Sequence, residues 1–79
     1  MDFLSDLEYW AETDARTTLK ILRLVILTVR EPLQGSGKPE PLKHGFRGFW
    51  SRRITDKHRL VYRLRGDEIE FAKARGHYE

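Results

Sequence analysis

A ten-residue stretch in the middle of the chain, PLQGSGKPEP (32–41), interrupts any regular backbone hydrogen bonding. It holds two glycines and three prolines, residues that end helices and break strand ladders. Apolar residues recur at helical spacing before it, whereas short β-forming runs separated by turn signals follow it. The chain therefore divides into a helical part and a β part, which predicts a small α+β domain.

Two helices are predicted before this stretch. Leu4, Leu7 and Trp10 recur at helical spacing and indicate a first helix that ends near Thr13. Asp14 is a good N-cap for a second helix, because its carboxylate can accept from the unpaired N–H groups that follow. The second helix is predicted to run through ARTTLKILRLVILTVRE and to stop at Pro32, antiparallel to the first.

Three strands are predicted after it, in FWSRRI (49–54), RLVYRLR (59–65) and EIEFAKA (68–74). We expect an antiparallel meander with the helix pair packed on one face. Side chains alternate across a strand, so the middle strand should turn Leu60, Tyr62 and Leu64 towards the helices. Its other side chains, Arg59, Val61, Arg63 and Arg65, should face outward.

The second helix carries more apolar residues than one buried face needs. Six of them surround most of its circumference: Leu22, Leu24, Val25, Ile26, Leu27 and Val29. About half should pack in the core, and we expect the others to contact another chain, either a second copy or a different partner.

Length and composition exclude several classes of protein. Seventy-nine residues predict one domain, 1–79. The chain has no cysteine, which excludes disulfides and thiolate metal sites, and its histidines lack the spacing of a helical zinc site. The acidic start is unlike a signal peptide, and the longest apolar run, LVILTV, is far shorter than the ~20 residues of a membrane span. We expect a cytoplasmic protein with no metal, no cofactor and no membrane partner.

Charge is distributed unevenly along the chain. Residues 1–14 contain five acidic residues and no basic one, whereas residues 41–65 contain eight Lys or Arg residues and one acid, Asp56. Such asymmetry predicts a polyanion-binding face in the β part. Just before this segment, Glu40 is a single carboxylate held between two prolines.

Several residues are suited to cutting RNA without a metal. Glu40 can act as the general base and His77 as the general acid, because imidazole exchanges protons near neutral pH. Arg53 and Arg59 flank the same turn and are expected to converge on one phosphate. Further contacts to RNA are predicted from Lys43, His44, Arg52, Arg75 and Tyr78. Each of these residues also has a plainer interpretation as an exposed side chain, and spacing alone supports only a basic α/β domain that binds nucleic acid.

The last strand poses a geometric problem. Strict alternation that turns Ile69 and Phe71 inward also turns Arg75 and His77 inward. To bring His77 to the basic face, the strand must bulge or end near Gly76. His58, in contrast, is predicted to be a turn residue without a functional role.

The chain resembles the YoeB/Txe toxins of the RelE superfamily, the ribonucleases of bacterial type II toxin–antitoxin systems. The resemblance covers essentially the whole chain. It is carried by YWAETD (9–14), GKPEPLKH (37–44), GFWSRRITDKHRLVYRL (48–64) and RGHY (75–78). It implies a RelE-like fold in which two antiparallel N-terminal helices pack on a three- to four-stranded antiparallel sheet. Family members usually begin with an edge strand, and from the resemblance we expect this strand to be missing or truncated here.

The resemblance also implies an activity, namely cleavage of mRNA in the ribosomal A site. Glu40 matches the general base of the family, His77 the general acid, and Arg59 the arginine that stabilises the pentacovalent phosphate. Tyr78 matches a terminal tyrosine that supports activity, and Lys43 and Arg53 match basic residues at the RNA site. The implied partners are mRNA on the ribosome, a YefM/Phd-type antitoxin and a second copy of the chain, with DNA contacted only through the antitoxin.

Two alternatives stay open at this stage. A toxin-like module with weakened catalysis would act only through binding to the antitoxin and its operator. A ribosomal or RNA-packaging protein would explain the basic face but would leave the set of Glu, His, Arg and Tyr residues without a purpose.

Overall fold

The computed structural model describes residues 2–77 and confirms the predicted order of helices and strands. The elements are α1 (Phe3–Thr13), α2 (Ala15–Arg30), β1 (Glu40–Pro41), a 3-10 turn (His44–Phe46), β2 (Trp50–Arg53), β3 (Arg59–Arg65) and β4 (Glu68–Lys73). The four strands form one antiparallel sheet in the order β1-β2-β3-β4. The α+β fold class is as predicted, but β1 lies within the stretch that was expected to be irregular. Proline is tolerated there because β1 is an edge strand.

Asp14 separates the two helices and caps the second, as predicted. Its backbone is extended, and its carboxylate accepts hydrogen bonds from the backbone N–H of Thr17 (3.2 Å) and from the Thr17 hydroxyl (2.9 Å). The bond from the hydroxyl, followed by that from the backbone, holds the pKa of Asp14 below its ordinary value. The cap therefore satisfies an N–H group that the helix itself leaves without a partner.

The core lies between the helix pair and one face of the sheet. Its buried members are Trp10, Ile21, Leu24, Ile54, Leu60, Tyr62 and Ala74. Leu60 and Tyr62 are fully buried, as alternation predicted, whereas Leu64 is 40% exposed. Val61 belongs to the opposite, outer face of the sheet and is nevertheless fully buried, so this face is not solvated throughout.

A bulge in β4 resolves the problem of alternation. Tyr62 pairs with Phe71 but Val61 pairs with Lys73, so Ala72 is an extra residue on β4. The extra residue reverses the alternation of the positions that follow. Ala74 accordingly enters the core. The predicted bulge is confirmed, and it lies four residues before Gly76.

Arg52 is fully buried, and the prediction that it contacts RNA is wrong. It pairs with Leu60 in the sheet and therefore lies on the face towards the helices. Its guanidinium donates to the backbone carbonyls of Glu31, Gln34 (2.7 Å) and Ser36 (2.7 Å). Arg52 thus connects the segment after α2 to the sheet, and its side chain is not accessible to a nucleic acid.

The outer side of α2 is apolar and exposed. Leu19 is 48% exposed, Leu22 42%, Ile26 59% and Val29 59%, and we call these four residues the apolar face of α2. The expectation that about half of the apolar residues of this helix stay outside the core is confirmed. Within residues 2–77, neither helix combines the length and the apolar character needed to cross a bilayer.

Candidate active-site cleft

Glu40 is fixed by hydrogen bonds before and after it. It pairs with Ser51 across β1 and β2, which places its side chain on the outer face of the sheet. The backbone N–H of Arg53 donates to the Gly37 carbonyl (2.7 Å), and the N–H of Leu42 donates to the Phe49 carbonyl (2.8 Å). The Glu40 side chain remains 54% exposed, so the backbone is held while the carboxylate stays accessible.

Arg59 lies beside Glu40 on the same face. Its side chain is only 10% exposed, and its Nη1 is 3.8 Å from Oε1 of Glu40. The Nε of Arg59 is buried and has no hydrogen-bond partner among the described residues. The contact with Glu40 is close to the longest distance at which an ion pair is counted, so the two groups interact only weakly. A guanidinium that is largely withdrawn from water suits the binding of an anion.

His77 completes the group. Glu40, Arg59 and His77 line one cleft of about 510 Å³ together with Pro41, Leu42, Lys43 and His44. His77 itself is exposed and follows Gly76, whose carbonyl accepts from the backbone N–H of Arg59 (2.9 Å). The residues matched to a base, an acid and a phosphate-binding arginine therefore line the same cleft in the folded chain.

The rim of the cleft is positively charged. Lys43 and His44 are both exposed and lie at the 3-10 turn, where His44 adopts a left-handed backbone with φ 58°. The charged side chains of the cleft are then two cations, Lys43 and Arg59, and one carboxylate, Glu40. This balance favours a polyanion.

Other predicted RNA contacts lie elsewhere. Arg53 pairs with Arg59 in the sheet but lines a separate groove of about 300 Å³, with Lys20, Leu24, Ser36, Gly37 and Lys38. The expected convergence of Arg53 and Arg59 on one phosphate is not seen, because the two side chains line different hollows. Arg75 stacks on the ring of Tyr9 in α1, with its guanidinium carbon 3.6 Å from the ring centre. Tyr78 lies outside the described residues.

His58 lies in the connection between β2 and β3, as predicted, but it makes contacts that the sequence did not predict. Its Nδ1 accepts a hydrogen bond from the backbone N–H of Gly76 (3.0 Å), and its ring packs edge-on against Trp10 with centroids 4.9 Å apart. His58 therefore contacts the residue that precedes His77. No local pattern announces this contact, because the two residues are 18 positions apart in the chain. Within residues 2–77, no three His, Asp or Glu side chains come together in a way that could hold a metal ion.

Comparison with known proteins gives the class of protein, the toxins of bacterial type II toxin–antitoxin systems. The family model described as "YoeB-like toxin of bacterial type II toxin-antitoxin system" matches residues 1–78. The chain is 55% identical over 73 residues to Toxin YoeB of Escherichia coli K12, covering 92% of this chain and 87% of that protein. The chain belongs to the YoeB family.

Solved structures agree with this assignment. A YoeB/ParE toxin from Agrobacterium tumefaciens superposes with a TM-score of 0.93 at 46% identity, covering 99% of this chain and 93% of that one. Staphylococcus aureus YoeB, solved as a dimer, gives a TM-score of 0.87 at 37% identity over 98% of this chain and 90% of that one. The chain in a Staphylococcus aureus YoeB–YefM complex gives 0.86 at 37% identity, covering 95% of this chain and 87% of that one.

Proposed function

We propose that this toxin is an endoribonuclease that cuts mRNA in the A site of the translating ribosome and so inhibits translation. The observation that carries the proposal is the shared cleft of Glu40, Arg59 and His77. A base, an acid and a cation are the three parts that cleavage of an RNA phosphodiester requires when no metal takes part. The toxin class of the family supports the biological effect.

The cleft supports a transesterification. The Glu40 carboxylate takes the proton of the ribose 2′-hydroxyl, and the 2′-oxygen attacks the adjacent phosphorus. The bond from phosphorus to the 5′-oxygen breaks, and the imidazolium of His77 gives its proton to that oxygen. The products are a 2′,3′-cyclic phosphate and a 5′-hydroxyl, so proton and electron counts balance without a co-reactant. The part of Arg59 is to stabilise the extra negative charge on the phosphate in the transition state.

Replacing Arg59 by Ala is expected to lower the single-turnover cleavage rate roughly 10²- to 10³-fold, as for the loss of an oxyanion donor. Binding to the ribosome should change far less, because the charge on phosphorus is greatest in the transition state. Rates and dissociation constants are measured on the same ribosome–mRNA complexes. Arg65→Ala is the matched control, since its side chain is 62% exposed at the far end of β3. Equal losses of binding and rate would make Arg59 a docking residue only.

Mapping of mRNA 5′ ends tests the function as a whole. After induction of the toxin alone, new ends should appear at codons in translated messages. They should disappear when initiation is blocked or when translating ribosomes are omitted in vitro. Ends that form equally well on naked RNA would contradict ribosome dependence. The absence both of new ends and of growth arrest would favour a toxin-like module that acts only through its antitoxin and operator DNA.

We further propose a cytoplasmic toxin that forms a homodimer and is inhibited by a YefM-type antitoxin, with operator DNA contacted only through that antitoxin. Staphylococcus aureus YoeB has been solved as a dimer and in a YoeB–YefM complex, which supports these partners. The apolar face of α2 supplies an exposed surface suited to a second copy.

Ile26→Glu is expected to weaken the homodimer roughly 100-fold or more, because an unpaired charge would be buried at the contact. Sedimentation at several concentrations measures the change. Arg23→Glu is the control, an exposed residue of the same helix outside the apolar face. A wild-type protein that is monomeric at high concentration, or an unchanged dimer in Ile26→Glu, would contradict this interface.

A further inference from the structure

We propose that His58 is a positioning residue for the cleft, which holds Gly76 and thereby fixes the neighbouring His77. The inference deepens the proposed ribonuclease function and rests on it. It concerns the segment that follows the end of β4 at Lys73.

Side chains from α1 and the residue before β3 hold this segment. The indole N–H of Trp10 donates to the Ala74 carbonyl (2.9 Å), and the Ala74 N–H donates to Oδ2 of Asp6 (2.9 Å). Two residues further on, the Gly76 N–H donates to Nδ1 of His58 (3.0 Å). We call Asp6, Trp10 and His58 the tail clamp. Together with the bond from the Arg59 N–H to the Gly76 carbonyl, it pairs both polar backbone groups of Ala74 and of Gly76.

The tail clamp affects catalysis because its last contact is at Gly76, the residue before His77. Gly76 has φ 102°, a left-handed conformation that favours glycine and turns the chain at this point. His77 follows directly and lines the cleft. A displacement of about 1 Å at a reacting group can cost roughly 10²-fold in rate. The hydrogen bond at Gly76 is one residue away from His77, the proposed acid, and therefore affects the position of His77.

Arg59 connects the clamp with the cleft. It follows His58 in the chain, its backbone N–H holds the Gly76 carbonyl, and its side chain is 3.8 Å from Glu40. His58 therefore accepts from the N–H of Gly76, and Arg59 donates to its carbonyl. This arrangement sets His77 in a fixed relation to Arg59.

The hydrogen bond requires a neutral imidazole, because a protonated ring has no lone pair at Nδ1. Burial lowers the pKa of His58 below its ordinary value, and the positive charges of Arg75 and Lys57 lower it further, while Asp6 opposes them. The bond is therefore present at neutral pH and is lost as the pH falls through this lowered pKa. Acid should release the tail and reduce the rate of cleavage.

Two variants test the inference. His58→Asn keeps a carbonyl oxygen that can accept from Gly76, whereas His58→Leu keeps bulk against Trp10 but removes the acceptor. We expect His58→Leu to cut ribosome-bound mRNA roughly 10- to 100-fold more slowly, with nearly unchanged ribosome binding. His58→Asn should retain most of the rate and should lose less activity than the wild type as the pH is lowered. Amide exchange at Gly76 should be faster in His58→Leu than in the wild type or in His58→Asn.

The outcomes separate this inference from the proposed function. A folded His58→Leu variant with the wild-type rate and wild-type Gly76 exchange would overturn the positioning role. The positioning role would also be overturned if the cleavage rate of His58→Asn fell with decreasing pH in the same way as that of the wild type. This comparison does not require His58→Leu to fold. If Gly76 exchange responds as expected but the wild-type protein never cuts mRNA on ribosomes, the clamp stands as a structural feature and the ribonuclease function fails.

Discussion

Replacing Glu40 by Gln is expected to lower the single-turnover rate of mRNA cleavage by roughly 10²- to 10⁴-fold. The amide keeps the size of the side chain but cannot take a proton from the 2′-hydroxyl. The fold should be unaffected, because the Glu40 side chain is 54% exposed and its contact with Arg59 at 3.8 Å is a loose one. Cleavage rate, ribosome binding and thermal unfolding are measured on the same preparation.

Glu68→Gln is the matched control for this prediction, since Glu68 is an exposed carboxylate at the start of β4. His77→Ala should behave like Glu40→Gln and abolish cleavage while ribosome binding persists. Growth arrest that remains unchanged in both variants would reject the assignment of base and acid.

Replacing Arg52 by Ala is expected to lower the free energy of unfolding by about 3–5 kcal/mol. The whole stability of a domain is about 5–15 kcal/mol, so the variant should lose a large fraction of it. The reason is that three carbonyls, those of Glu31, Gln34 and Ser36, lose their donor and a cavity is left beside Tyr62. Denaturant unfolding followed by tryptophan fluorescence measures the loss.

Two further variants make the Arg52 result specific. Arg52→Lys keeps the charge but lacks the fork that reaches several carbonyls, so it should lose an intermediate amount of stability. Arg65→Ala removes an exposed guanidinium and should change the unfolding free energy by less than about 1 kcal/mol. An Arg52→Ala variant that unfolds at the wild-type denaturant concentration would contradict the anchoring role.

Local patterns were sufficient for most of the fold. The helices follow from apolar spacing and from the cap at Asp14, whose partner Thr17 is three residues away. The strands follow from β-forming runs between turn signals. The two-residue strand β1 could not be read in the same way, because Glu40 and Pro41 become a strand only through their pairing with β2.

Some residues of the candidate site could be predicted from the sequence and others could not. Glu40, Arg59 and His77 were identified from their chemistry and from the resemblance to a family, and the structure places them in one cleft. Alternation along β2 already turns Arg52 away from the face of Arg53, but the three carbonyls that bind it lie 16 to 21 residues away. The contacts of His58 were equally hard to predict, because its partner Gly76 follows β4 and is 18 positions away in the chain.

We propose that Glu40 and His77 cleave RNA through attack by the 2′-hydroxyl. The most direct measurement uses ribosome complexes that carry mRNA with a single 2′-deoxy nucleotide at the cleaved position. We expect the all-ribose message to be cut to a 2′,3′-cyclic phosphate and a 5′-hydroxyl, and the deoxy message to stay intact at that position. Cleavage of the deoxy message at the same bond, or 5′-phosphate ends on the product, would contradict the mechanism.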